Sequence, residues 1–203
     1  MTTLSSIDKK MFEYINHLHF EGIDPIELTW EEYAQRPVHT PWEFPKELES
    51  MFKTIFADNK DIINNKKVLD IGCEYGSKIP WFAKLQPSEL ICIDPDNACF
   101  NIANYVSGLV GRTTTTKTLC VNSGAEDFAC NADTIFLLSV NHYVDDQFEI
   151  YKKLNCTHLV IDTHTDNHIP LSDINNFLEK KYIIESEVYI RKNRAVVRYK
   201  KIK

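Results

Sequence analysis

The stretch Lys67-Val68-Leu69-Asp70-Ile71-Gly72-Cys73-Glu74-Tyr75-Gly76, followed by Ile91-Cys92-Ile93-Asp94-Pro95, constrains the fold more than any other part of the chain. Val68 and Leu69 suit the end of a buried parallel strand, and Gly72 and Gly76 permit positive φ or close approach of a ligand to the backbone. Between Ser77 and Leu85, residues Ile79, Trp81, Phe82 and Leu85 recur at helical spacing, which predicts a helix whose N-terminus faces the turn. Ile91 to Ile93 predicts a second strand, with Asp94 at its end, where a carboxylate can accept both hydroxyls of a ribose. Strand, glycine turn, helix, strand and acid make a nucleotide-binding half-site, so a nucleoside ligand is expected.

The turn itself narrows that ligand. A dinucleotide fingerprint needs Gly-x-Gly-x-x-Gly, but Glu74 stands at the middle glycine and Asp70 opens the turn with a charge that repels pyrophosphate.

Asp70-x-Gly72-x-x-x-Gly76 with the acid Asp94 resembles the first and second motifs of class I S-adenosylmethionine-dependent methyltransferases. Their cofactor carries a cationic sulfonium and an amino acid end, which an acidic turn suits. The resemblance runs from about Lys66 to the C-terminus. Leu119 to Asn122 is the expected third strand, and Ser123 to Phe128 is similar to the family loop against adenine. Thr134 to Val140 is the expected fourth strand, and Asn141 to Asp146 is similar to the segment facing the methyl donor. The resemblance implies S-adenosylmethionine as cofactor, with S-adenosylhomocysteine as product. It implies cofactor binding by Asp70, Gly72, Cys73, Gly76, Asp94, Pro95, Gly124, Ala125 and Ser139. Two departures stand out, Glu74 where glycine is usual and Gly124 where an acid is common.

At 203 residues and 43% apolar composition, the chain suits one domain with a sizeable core. Residues 61–203 are expected to form a Rossmann-like α/β core. Its sheet should have seven mostly parallel strands, helices on both faces, and an antiparallel C-terminal hairpin built from Ile183 to Ile190 and Ala195 to Tyr199. Asp146 to Leu154 predicts a short helix, His158 to Asp162 a fifth strand, and Leu171 to Lys181 a further helix.

Residues 1–60 predict a helical N-terminal cap. Met11, Phe12, Ile15, Leu18 and His19 share one helical face, Thr29 to Glu32 has capping-box spacing, and Leu48, Met51, Phe52 and Ile55 face inward on a helix after Pro45. The proline-rich Arg36 to Pro45 excludes regular helix and could form a lid. His39, Trp42 and Phe44 are its candidate substrate-binding residues; Trp42 and Phe44 could equally pack the arm onto the core.

No apolar run is long enough to span a bilayer and the N-terminus lacks signal-peptide features, so a soluble, cytoplasmic protein with no membrane partner is expected. Six cysteines without a Cys-x-x-Cys pair read as reduced, mostly buried thiols. The net charge of −6 divides unevenly: Lys180 to Lys203 holds nine Lys or Arg against Glu185 and Glu187. That basic hairpin is either a contact for RNA or a solvated terminal face.

Methyl transfer is an in-line displacement in which the protein aligns the acceptor and sometimes removes its proton. His142 is the candidate base and Tyr143 a candidate positioning group, beside Asn141; His142 could instead be a polar residue opening a helix. Asp162, His164, Asp166 and His168 resemble metal ligands in composition, yet a turn-rich loop explains the same residues, and no metal is expected. The function expected is transfer of a methyl group to an oxygen or nitrogen atom of a small polar acceptor. An RNA-directed (cap or base) methyltransferase is the alternative enzyme, and a non-catalytic cofactor-fold binding subunit the alternative of another class. The acceptor and the oligomeric state are left open by the sequence.

Overall fold

The structure, a computed structural model, describes residues 46–111, 114–125, 127–128, 131–138, 147–163, 170–191 and 194–202. Its elements run α1 (Lys46–Asp58), α2 (Lys60–Ile63), β1 (Lys67–Ile71), α3 (Ile79–Lys84), β2 (Glu89–Asp94), α4 (Asn97–Gly111) and β3 (Lys117–Asn122). They continue with β4 (Thr134–Leu137), α5 (Gln147–Lys153), β5 (His158–Thr163), α6 (Leu171–Leu178), β6 (Tyr182–Arg191) and β7 (Arg194–Lys201). Seven strands form one sheet in the order β3-β2-β1-β4-β5-β7-β6. The five from β3 to β5 are parallel, and β7 pairs antiparallel with both β5 and β6. The expected sheet and hairpin are therefore present.

Strand alternation explains the layers. Leu69, Ile71, Ile91, Ile93, Ile135, Leu137, Leu159 and Ile161 point to one face, where Ile150 and Tyr151 of α5 and Ile174 and Leu178 of α6 cover them. Val68, Leu90, Cys92, Phe136 and Val160 point to the other, beneath α1, α3 and α4. Both faces are apolar, so a parallel sheet of this composition needs helices on both sides.

The helix expected over Ser77 to Leu85 is shorter. Pro80 fits the first turn of α3, while Gln86 at φ 54° and the following Pro87 end the helix. On α1, Met51, Phe52 and Ile55 are buried as expected. Its ring Phe56 packs edge-on to Phe82 at 4.8 Å, and Phe82 to Phe136 at 5.0 Å. Residues 46–63 thus form a helical layer on the sheet face, and the remainder of the expected cap, residues 1–45, lies outside the described residues.

Three cations of the basic hairpin are paired with acids. Arg194 is buried against Asp162, Arg198 reaches Asp61 at 2.8 Å and Glu185 at 2.7 Å, and Lys200 reaches Glu185 at 3.1 Å. No helix among the described residues is long and apolar enough to cross a membrane.

Candidate functional site

The chain runs from β1 outward through β2 to β3, then returns to lay β4 on the other side of β1. Sheets of this kind bind ligands at such a reversal, outside the carboxyl ends of the strands. Asp70, Gly72, Cys73, Asp94, Pro95, Gly124 and Ala125 meet at or just beyond the exits of β1, β2 and β3.

Backbone bonds stitch these exits together. Gly72 N and Cys73 N both donate to Ile93 O, at 2.9 and 3.1 Å, while Ser123 N donates to Asp94 O at 3.1 Å. Asn122 Nδ2 donates to Pro95 O at 3.2 Å. Gly72 and Gly76 take positive φ, 69° and 78°, as the turn requires. Gly76 has a further constraint, since a Cβ there would lie 2.9 Å from Ile79 Cδ1 and 3.0 Å from Ala103 Cα. Its small size therefore serves packing between the turn and α4. Cys73 is also turned inward, 1% exposed in the core beneath α1, α3 and α4.

Asp94 is held in one orientation. Glu74 N donates to its Oδ2 at 2.9 Å and Asp96 N to its Oδ1 at 3.0 Å. Each carboxylate oxygen keeps a further lone pair, so the group can still accept hydroxyls. Burial raises its pKa, against the lowering effect of the Asp96 and Glu74 amides. Gly124 and Ala125 follow β3 beside it; Ala125 packs its side chain into the core, which leaves backbone groups to face a ligand.

Asp70 is the unusual member. Its carboxylate is fully buried, and neither oxygen has a hydrogen-bond partner among the described residues. Lys78 Nζ stands 3.4 Å from Oδ1, near enough to pair charges, and donates instead to Gly72 O at 2.9 Å. Burial pushes the Asp70 carboxyl up to about 6; Lys78 opposes that rise, and the nearby Asp94 and Glu74 add to it. Burial works to lower the Lys78 pKa, but Asp70, Cys73 and Glu74 outweigh it and leave it raised. Three carboxylates, Asp70, Glu74 and Asp94, thus surround one ammonium, and the turn suits a cation.

Lys78 was not among the expected site residues. Its signal was a single lysine in the otherwise apolar and small run Gly76-Ser77-Lys78-Ile79-Pro80-Trp81, downstream of a strand acid that had to be buried. Glu74 is likewise placed by the turn, at φ 52°, a left-handed value that favours glycine. Asp162, considered above as a metal ligand, accepts from Arg194 Nε at 2.9 and 3.0 Å, so its carboxylate is committed. Among the described residues, Cys73, Cys92, Cys120 and Cys156 are buried and Cys99 is partly so, and none of them forms a disulfide. Ser139, His142 and Tyr143, the arm residues His39, Trp42 and Phe44, and His164, Asp166, His168 and Cys130 lie outside the described residues.

No protein-family model and no curated protein matches the chain. Solved structures do. The magnesium protoporphyrin IX methyltransferase of Synechocystis PCC 6803, with bound S-adenosylmethionine, superposes with a TM-score of 0.67 at 12% identity over 100% of both chains. The N-methyltransferase NodS of Bradyrhizobium japonicum WM9 does so at 0.60 and 16% identity, over 78% of this chain and 98% of its own. A SAM-dependent methyltransferase of Aquifex aeolicus gives 0.57 at 16% identity, over 89% and 100%. The fold is that of class I Rossmann-like methyltransferases.

Proposed function

We propose that the chain is a methyltransferase that binds S-adenosylmethionine at the exits of β1, β2 and β3 and methylates an oxygen or nitrogen atom of a small polar acceptor. The observation that carries this reading is the acidic pair at the switch point. Asp94 is locked by two amides where ribose hydroxyls would reach it, and beside it Asp70 is buried, with neither oxygen hydrogen-bonded among the described residues and the Lys78 ammonium 3.4 Å away.

The residues present fit the cofactor. Asp94 would accept the ribose hydroxyls, and backbone groups of Gly124 and Ala125 would lie along the adenine. The acidic turn of Asp70, Glu74 and Asp94 would favour the cationic amino acid end through its negative field, with Asp70 held behind it on Lys78. When bound, S-adenosylmethionine supplies a methyl group already activated on a sulfonium. The protein's part is then alignment, exclusion of water and, for a hydroxyl acceptor, removal of a proton. We assign that proton to His142, with Tyr143 as positioning group, Ser139 beside the cofactor, and His39, Trp42 and Phe44 as acceptor contacts. A metal is not needed for any of these roles.

The RNA-directed alternative draws on the basic hairpin, and it loses support where Arg194, Arg198 and Lys200 are already paired with acids. A non-catalytic binding protein is the second reading, favoured by Glu74 at a left-handed position and by Lys78 on the Gly72 carbonyl. Incubation with methyl-labelled S-adenosylmethionine and fractionated cell extract separates the three. Label in the small-molecule fraction supports the proposal, and label in RNA supports the alternative enzyme. Cofactor binding with no labelled product in any fraction supports the second reading.

A further inference from the structure

A second polar feature lies on the sheet edge opposite the switch point. A cavity of about 470 Å³ opens at the amino end of β5, between the last turns of α5 and α6 and the end of β7. Lys152, Lys153, Lys180, Lys181 and Lys201 line it with Asn155, and no carboxylate does among the described residues. In a chain of net charge −6, five ammonium groups around one concavity are a marked segregation of charge.

Two of these groups are anchored by neutral oxygen acceptors. Lys181 Nζ donates to Lys152 O at 3.1 Å, and Lys201 Nζ donates to Asn155 Oδ1 at 3.0 Å. An ammonium has three donors, so each keeps two. Glu149 offsets Lys152 from the preceding turn of α5. The carboxyl ends of α5 and α6 each contribute roughly half a negative charge, set against the five ammonium groups of the lining. Low-dielectric walls focus such a field on a bound anion.

Position and shape restrict the ligand. β5 spans His158–Thr163, about 17 Å at the usual rise per residue, and separates the cavity from the strand exits. A small acceptor bound here would not reach the switch point. Tyr182 contributes to the lining but is 2% exposed and offers no face for stacking a base. The hairpin cations that would extend a basic track, Arg194, Arg198 and Lys200, are paired with acids.

We propose that this cavity is a binding site for a compact, multiply phosphorylated anion, separate from the nucleoside site. The test is calorimetric titration with inorganic tripolyphosphate at two salt concentrations, alongside orthophosphate and a 12-residue oligouridylate. The site should bind tripolyphosphate saturably and one-to-one, more tightly than orthophosphate, with affinity falling as salt rises. Lys180→Glu/Lys201→Glu should weaken it at least tenfold with an unchanged circular dichroism spectrum. Should that variant misfold, the charge-neutral Lys153→Gln/Lys180→Gln should weaken it severalfold. Absence of saturable binding, or equal binding by a folded variant, overturns the site. Tighter binding of oligouridylate, lost in the same variants, overturns the compact ligand in favour of RNA.

Discussion

Asp70 and Lys78 carry opposite charges into the least solvated part of the turn, and their mutual dependence is measurable. Removing one partner of a buried pair leaves the other uncompensated, whereas removing both is often neutral. Asp70→Asn and Lys78→Met are each expected to destabilise the protein by about 3 kcal/mol, and the double variant by under about 1 kcal/mol, in a denaturant-unfolding double-mutant cycle. The pH dependence follows from the Asp70 pKa, which burial raises from the ordinary carboxylate range to about 6. A raised acid contributes stability that is complete below its unfolded pKa and lost as pH rises through the folded one. Relative to the double variant, the wild type should therefore lose about 2 kcal/mol between pH 4 and pH 7. Cofactor affinity should run the other way. A cationic ligand favours ionised Asp70, so binding should weaken about tenfold from pH 7 to pH 5, and the double variant should be flat across that range. Glu74 offers a simpler test: its left-handed backbone costs roughly 1 kcal/mol, so Glu74→Gly is expected to raise stability by about that amount in the same unfolding assay.

At the scale of elements, the local patterns were legible where one periodicity dominated. The strand runs at Val68 to Ile71, Ile91 to Asp94 and His158 to Asp162, and the inward face of α1, were all readable from apolar spacing. The length of α3 was not, because Trp81, Phe82 and Leu85 kept helical spacing while the turn consumed Ser77 and Lys78. The role of α1 was also hidden, since its apolar stripe demands burial without saying against what. Phe56 decides it by packing on Phe82 beneath the sheet face. Phe56→Ala is expected to cost about 3–5 kcal/mol by thermal or chemical unfolding, and a loss below about 1 kcal/mol would place α1 elsewhere. The charge of the hairpin was visible as composition, but its pairing was not. Asp61 lies far from Arg198 in sequence, and only the fold brings them to 2.8 Å.

For the whole molecule, strand order does the functional work. Placing β4 on the far side of β1 from β2 opens the crevice at which Asp70 and Asp94 converge, and the antiparallel β7 closes the sheet beyond β5. The glycine turn and the second-strand acid announced that crevice in the sequence, because each needs a specific residue type at a specific position. The signal of Lys78 was weak, as a lysine in an amphipathic run ordinarily marks a solvated face. The fold is shared with methyltransferases at 11–16% identity, so the proposed activity rests on the site's own chemistry. That chemistry is tested most directly by calorimetric titration of the full chain with S-adenosylmethionine and, separately, S-adenosylhomocysteine, with Asp94→Ala as control. One-to-one saturable binding that falls at least tenfold in Asp94→Ala is the predicted result; a folded protein that binds neither ligand would contradict the account.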